Sequence, residues 1–250
     1  MRRLLPALLI LFALSADAGE RYRADFYGTV VINGTEHRVY WDDGDSFSFQ
    51  EGPRKGKETR LVGFNTLESY GPVHRWGEWT AEELWGVAKL APKYAASRTW
   101  RCKASGKRDA YNRLLVDCPT LRRAMVRNGL AHLFAYDDPA SEEDLAAQVS
   151  ARIDELGMWA KGRPETIITS VHPAGENASG RMRIVHVRSG ETEMAGHRKQ
   201  IELCSEFCFG DAYTGSCMVY VPYKLRYRDD KPACLQGEPP ELPLPQEPSP

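Results

Sequence analysis

The chain lacks a charge excess of either sign. Its 33 basic and 34 acidic residues leave a formal net charge of −1 at pH 7. A broad surface that binds polyanions through bulk positive charge is therefore not expected, so any contact with nucleic acid must be local. The chain also lacks an apolar run of the roughly 20 residues that a membrane helix needs, since the run from Leu4 to Leu14 is too short.

The N-terminus has the layout of a secretion signal. Met1-Arg2-Arg3 is positively charged, the apolar run follows it, and Ala16-Asp17-Ala18 has the small-residue pattern of a cleavage site. We predict a signal peptide over residues 1–18 and a mature protein that starts near Gly19. The mature protein is expected to be exported, either secreted or periplasmic, without stable membrane insertion. An uncleaved membrane anchor is the alternative.

The six cysteines favour disulfide bonds, because the chain is expected to reach an oxidising compartment. Cys102 and Cys118 flank a predicted turn symmetrically, so we predict that they pair across a hairpin. The other four permit three pairings, and a zinc site is the alternative that their unequal spacing disfavours. These four are Cys204, Cys208, Cys217 and Cys234.

The first half of the chain combines strand and helix patterns. Runs at 26–32 and 36–41 flank Asn33-Gly34, a strong hairpin signal. Thr80-Ala-Glu-Glu83 has capping-box form and predicts a helix that Pro92 bends or divides. Further strands are predicted at 46–49, through Arg60, at 99–104 and at 114–118, and further helices at 121–128 and 141–156.

These patterns predict an α+β fold with a small barrel of the oligonucleotide/oligosaccharide-binding (OB) type plus helices. We place this domain at residues 22–163. Residues 164–235 predict a small, β-rich, disulfide-containing domain, and residues 236–250 a proline-rich disordered tail. The expected oligomeric state is a monomer.

Five short motifs follow one another between residues 39 and 159. They are Asp43-Gly-Asp-Ser46, Arg60 to Glu68, Asp109-Ala-Tyr-Asn-Arg113, Ala124 to Ala131 and Gly157-Met-Trp159. Together they resemble the staphylococcal nuclease (thermonuclease) family over about half of the chain. The resemblance implies a five-stranded OB barrel with three helices. It also implies calcium-assisted cleavage of phosphodiester bonds in DNA or RNA at one face of that barrel.

Three residues carry the chemistry that such a reaction needs. Hydrolysis requires charge neutralisation on the phosphoryl oxygens and an oriented water. Arg60 and Arg113 are the predicted phosphate clamps, because a guanidinium group donates two parallel hydrogen bonds to phosphate. Glu68 is the predicted group that orients or deprotonates the attacking water.

Oxygen donors for a hard cation surround the same motif. We expect Asp45, Asn65 and the backbone carbonyl of Thr66 to hold the ion, and by family analogy Asp43 lies in a second shell. Ca²⁺ is the predicted cofactor, with Mg²⁺ or Mn²⁺ as alternatives. Relatives usually have aspartate where this chain has Asn65, so the resemblance implies a lower affinity for the cation.

Aromatic side chains near these motifs are candidates for substrate contact. Tyr111, Trp76 and Tyr136 are predicted to contact or stack on nucleotides. For Trp76, packing inside the protein is an equally supported alternative. Trp79 and Trp85 are assigned to packing.

The sequence thus predicts an exported nuclease, with an endonuclease favoured over an exonuclease. The alternative is a non-catalytic OB-fold module that binds nucleic acid or an envelope partner and has a degraded metal site. The preference for DNA or RNA is left open.

Overall fold

The computed structural model describes residues 25–136, 138–172, 180–211, 213–226 and 230–237. The predicted signal peptide and the tail beyond residue 237 lie outside the described residues. Within those ranges, no helix is both long and apolar enough to cross a membrane.

The described part of the chain has an α+β fold with three α-helices and several small sheets. The helices are α1 (Ala81–Ala96), α2 (Pro119–Arg127) and α3 (Glu142–Ile153). The strands before residue 163 are β1 (Tyr27–Ile32), β2 (Thr35–Asp43), β3 (Ser46–Phe49), β4 (Thr59–Leu61), β5 (Gly63–Thr66), β6 (Val73–Arg75), β7 (Trp100–Cys102), β8 (Leu114–Val116) and β9 (Ala131–Phe134). The later strands are β10 (Thr166–His172), β11 (Gly180–His186), β12 (Thr192–His197), β13 (Glu206–Phe209) and β14 (Ser216–Val219).

The predicted β1–β2 hairpin is confirmed. Asn33 and Gly34 have φ values of 50° and 84°, the positive values that a two-residue type I′ turn requires. The pairing then runs in register from Ile32 opposite Thr35 to Tyr27 opposite Tyr40.

The N-terminal strands form three small sheets. One has the order β3-β2-β1-β7, β4 pairs with β8 in parallel, and β5 pairs with β9 in antiparallel. Isolated bridges link Ser48 with Glu58 and Lys103 with Asp117. The sequence predicted one strand through Arg60, but the chain changes partner at Gly63, which has a φ of 88°.

Helix α1 has the predicted capping box. The Glu83 backbone N–H donates to the Thr80 hydroxyl, and the Thr80 backbone N–H donates to the Glu83 carboxylate. The helix continues through Pro92 to Ala96, so the proline does not divide it. Its apolar face packs against the sheets in a core that includes Trp41 and Phe64.

All six cysteines form disulfide bonds. The predicted Cys102–Cys118 bond is confirmed, and it joins the end of β7 to the start of α2. Of the three pairings open to the other four cysteines, the structure has Cys204–Cys234 and Cys208–Cys217. The alternative of a four-cysteine zinc site is therefore excluded.

The C-terminal strands are built into the rest of the chain. Strands β10, β11 and β12 form one sheet, whereas β14 lies between β13 and β6. Because β6 follows the Arg60–Glu68 motif, the C-terminal region (residues 164–237) shares a sheet with the segment next to the candidate site. A second core cluster supports this junction and contains Val73, Ala81, Trp85, Val219, Val221 and Leu235.

Candidate active site

Arg60 lies at the centre of a group of polar side chains between β3, β4 and β5. Its Nη1 donates to Asp45 Oδ1 at 2.5 Å, and its Nη2 donates to Asn65 Oδ1. The Thr66 backbone N–H donates to Asp45 Oδ2 at 2.9 Å. Arg60, Asp45 and Asn65 are therefore in direct contact, and Thr66 joins them through its backbone N–H instead of the carbonyl that was predicted as a ligand.

The turn from Asp43 to Ser46 holds Asp45 in place. Asp43 Oδ1 accepts hydrogen bonds from the Ser46 hydroxyl at 2.6 Å and from the Asp45 backbone N–H at 3.2 Å. Asp45 is only 3% exposed, and this burial, together with the charge of Asp43, raises its pKa against the opposing charge of Arg60. Asp43 thus holds the backbone of Asp45 in place.

Glu68 lies two residues after β5 and is half-buried. Its Oε2 accepts a hydrogen bond from the Gly71 backbone N–H at 3.1 Å. Burial raises the pKa of Glu68, and the negative charge of Asp43 adds to the rise, while Gly71, Arg60 and Arg226 oppose it. A carboxylate with a raised pKa is a better proton acceptor near neutral pH than an exposed one.

Arg113 immediately precedes β8, in the turn that the Cys102–Cys118 bond closes. In the parallel β4–β8 pair Arg60 is opposite Leu115, and Arg113 lies two residues before Leu115, outside the paired strand. Its Nε donates to Asp109 Oδ2 at 2.7 Å, not to Glu68 or to the Asp45 group.

Asp109 organises the turn that carries Arg113. Burial opposes its ionisation, but hydrogen bonds from the Arg113 backbone and side chain outweigh that effect and lower the pKa of Asp109. Asn112 has a φ of 65°, a value that asparagine tolerates better than most residues.

The predicted substrate-contacting aromatics differ in accessibility. Tyr111 is 76% exposed and lies beside Arg113, whose guanidinium carbon is 5.5 Å from the ring centre. Tyr136 is 64% exposed and stacks on Phe134, with Arg183 over the ring. Tyr111 and Tyr136 are therefore available to a ligand.

The tryptophans near the site are buried. Trp76 is 4% exposed, and its indole N–H donates to the Met158 carbonyl, as does that of Trp79. This placement favours the packing alternative for Trp76. Trp79 and Trp85 are also buried, in agreement with the packing role that the sequence assigned to them.

Sequence reasoning missed two buried histidines behind the site. His132 lies opposite Asn65 in the β5–β9 pair, and His74 lies in β6 opposite Met218. Burial, with a contribution from His132, lowers the pKa of His74 to about 3. Burial lowers the pKa of His132 to about 4, and the charge of Arg60 contributes. Nothing in the local pattern of either residue indicated burial.

These histidines predict a loss of stability in acid. An unfolded histidine binds a proton near pH 6.5, whereas His74 stays neutral until the pH approaches 3. Unfolding therefore takes up protons between these values, and stability falls as the pH falls. His74→Phe should remove about 1.4 kcal/mol per pH unit from the slope of the unfolding free energy between pH 6 and 4.

The measurement is urea unfolding of the wild type and His74→Phe at pH 7, 6, 5 and 4. The quantity compared is the slope of the unfolding free energy against pH, not the free energy at one pH. His172→Asn is the matched control, because His172 is exposed, and its slope should equal that of the wild type. Parallel curves for the wild type and His74→Phe would refute the prediction.

The donor set at Arg60 fits a cation. The Oδ1 atoms of Asp45 and Asn65 both bind the one guanidinium group, and carboxylate and amide oxygens are ligands that Ca²⁺ accepts. Among the described residues, one group of three potential ligands from His, Cys, Asp and Glu converges within 4.8 Å, namely Glu206, Cys208 and Cys217. Those two cysteines form a disulfide, so this group has no thiolate to offer.

No protein-family model matches the chain, and no curated protein matches it. The resemblance to the thermonuclease family, with the activity that it implies, therefore stays a prediction that rests on the motifs and on the geometry around Arg60.

Proposed function

We propose that this chain is an exported, metal-dependent nuclease of the thermonuclease type, which hydrolyses phosphodiester bonds of DNA, RNA or both. The observation that carries the proposal is the convergence of Arg60, Asp45, Asn65 and Thr66 at one point, with Glu68 two residues further along the chain. This guanidinium group donates to one oxygen from the β2–β3 turn, on Asp45, and to one oxygen from strand β5, on Asn65.

The arrangement of the sheets supports an OB-type barrel beneath this site. The bridge between Ser48 and Glu58 connects β3 to the start of β4, and the bridge between Lys103 and Asp117 connects β7 to the end of β8. The order of connections then runs from β7 through β1, β2 and β3 to β4 and β8, and back to β7. We propose that these sheets are parts of one barrel.

Each side chain has a defined task in the proposed reaction. Glu68 takes the proton of the attacking water, for which its raised pKa suits it. Arg60 and Arg113 donate hydrogen bonds to phosphoryl oxygens, where negative charge increases in the transition state. Tyr111, exposed beside Arg113, contacts the nucleotide on the leaving side.

The proposed cation is Ca²⁺, with Mg²⁺ or Mn²⁺ as alternatives, held by Asp45, Asn65 and the Thr66 carbonyl. When bound, such an ion neutralises charge on the phosphoryl group. The two side-chain oxygens that would hold the cation, Asp45 Oδ1 and Asn65 Oδ1, both accept hydrogen bonds from Arg60 in this structure.

Restoring a carboxylate at position 65 should strengthen the cation site. We expect Asn65→Asp to lower the Ca²⁺ concentration for half-maximal activity by about tenfold, which corresponds to about 1.4 kcal/mol, because affinity rises with ligand charge. Calorimetric titration of Ca²⁺ into the mature protein, in the absence of nucleic acid, should show the same shift in affinity. Asn33→Asp, in the exposed β1–β2 turn, is the control and should change neither value. Equal affinities for Asn65→Asp and the wild type would contradict the metal assignment.

A non-catalytic binding module is the second candidate. The observation that favours it is that Arg60 donates hydrogen bonds to Asp45 and Asn65. These bonds occupy the predicted phosphate clamp and also two of the predicted cation ligands. In this case the chain binds a polyanion through Arg113, Tyr111 and neighbouring groups, and does not hydrolyse it.

One experiment separates the two candidates. Oxidised protein that begins at Gly19 is incubated with fluorescent single-stranded DNA, duplex DNA or RNA in Ca²⁺, Mg²⁺ or Mn²⁺, and binding and cleavage are recorded in parallel. Cleavage that stops with a chelator supports the nuclease. Binding without cleavage in every metal supports the module and overturns the nuclease.

A further inference from the structure

The loop after Glu68 is held by a residue of the C-terminal region. Arg226 Nη1 donates to the Ser69 carbonyl at 2.8 Å, and Nη2 donates to the Tyr70 carbonyl at 3.1 Å and also to the Gly71 carbonyl. One guanidinium group thus binds three consecutive carbonyls of the segment from Ser69 to Gly71. The same Gly71 donates its N–H to the Glu68 carboxylate.

Arg226 is itself rigidly placed. It is 1% exposed, its Nε donates to the Val221 carbonyl at 3.1 Å, and its guanidinium carbon lies 5.9 Å from the Trp85 ring centre. The Cys204–Cys234 disulfide encloses this stretch of chain. A buried arginine with this many hydrogen bonds has little freedom, so it transmits the position of the C-terminal region to the loop.

Two further contacts hold the same loop. Tyr70 stacks on Tyr223, with ring centres 5.1 Å apart, and β6, which follows the loop, pairs with β14. A Cβ atom at Gly71 would lie 2.7 Å from Glu68 Oε2, so a larger residue there would displace the Glu68 carboxylate. Small shifts of this segment therefore move the Glu68 carboxylate.

We propose that Arg226 is a positioning residue for Glu68, so that the C-terminal region forms part of the active site. This inference rests on the proposed nuclease function. It assigns a role to the part of the chain beyond residue 163, where the motif resemblance ends. Arg226 acts through the Ser69–Gly71 backbone and does not touch the substrate.

The test is a double-mutant cycle between Arg226→Met and Glu68→Gln in the full mature chain. Misplacing a catalytic group by about 1 Å costs up to about 100-fold in rate. We therefore expect Arg226→Met to lower kcat by about 10- to 100-fold, with KM changed by less than about threefold. In the Glu68→Gln background the same change should lower kcat by less than about threefold, because the group being positioned is already absent.

Two more variants and one control guard against misfolding. Arg226→Lys keeps the charge but not the planar fork, and should recover part of kcat. Gly71→Ala leaves Arg226 untouched and crowds Glu68, and should give the same selective loss of kcat. Glu206→Gln removes an exposed ion pair with Arg75 at the same junction and is the control that should keep full activity. Hydrogen exchange should show faster exchange of the Gly71 amide in Arg226→Met.

The outcomes are distinct for the two proposals. Suppose that the wild type cleaves nucleic acid. If Arg226→Met then keeps the wild-type kcat, or lowers kcat by the same factor in the wild type and in Glu68→Gln, the positioning role is wrong and the proposed nuclease function is unaffected. If the wild type cleaves no substrate in any metal, the proposed function is overturned, and the positioning role falls with it.

Discussion

Glu68→Gln is expected to lower kcat by about 10²- to 10⁴-fold, the usual contribution of a positioned general base. Glutamine has nearly the same shape and keeps an oxygen that can accept the Gly71 hydrogen bond, but it cannot take a proton. KM should change little, because Glu68 acts on the water and not on the phosphate. The effect is measured as the initial rate of oligonucleotide cleavage under saturating metal and substrate.

Glu78→Gln is the matched control, since Glu78 is an exposed residue in the segment that follows β6. We expect it to retain the wild-type rate. A Glu68→Gln protein that cleaves as fast as Glu78→Gln would remove Glu68 from the mechanism.

Arg113→Ala should lower kcat by about 10²- to 10³-fold, because it removes a charged donor from the transition state. Arg113 is better suited to this test than Arg60, whose loss would leave the Asp45 carboxylate buried without its partner and destabilise the fold. Arg113 pairs with Asp109 in a partly buried contact, so stability should also fall, by about 1 to 3 kcal/mol. Cleavage rates and urea unfolding measured on the same samples separate these effects.

Arg108→Ala provides the control for this substitution. Arg108 lies in the same turn, is exposed and donates to the Asn112 carbonyl, and we expect its removal to leave kcat within about twofold. If the losses for Arg113→Ala and Arg108→Ala were equal, Arg113 would be an ordinary member of the turn and not a phosphate clamp.

Local signals predicted much of the fold. Asn33-Gly34 determines its hairpin because few residues adopt two successive positive φ values. The capping box from Thr80 to Glu83 determines the start of α1 because both hydrogen bonds lie within four residues. The Cys102–Cys118 pair followed from the symmetry of the two residues about one turn.

Local signals did not predict contacts between segments that are distant in the sequence. Strand β6 has three residues and lies within a stretch rich in glycine and aromatics, so its local pattern does not indicate a strand, and only its pairing with β14 makes it one. Arg226 lies in a basic and aromatic stretch that resembles an exposed surface segment. Its burial depends on carbonyls of a loop far away in the sequence, which no periodicity encodes.

The candidate site shows the same division. Its members were identifiable, because Arg60, Asn65, Thr66 and Glu68 fall within one short motif. The direct binding of Arg60 to the Asp45 and Asn65 oxygens was not predicted. That contact occupies the predicted clamp and two of the predicted cation ligands at once, and it is the feature on which the alternative without catalysis also relies.

Metal dependence of cleavage tests the central claim most directly. Single-turnover cleavage of a labelled single-stranded oligonucleotide is measured as Ca²⁺, Mg²⁺ or Mn²⁺ is titrated into metal-free, oxidised protein. We predict a rate that rises to saturation with at least one of these ions, falls to background with a chelator and returns when the ion is added in excess. A rate at background throughout, or a rate that the chelator leaves unchanged, would contradict a metal-dependent nuclease.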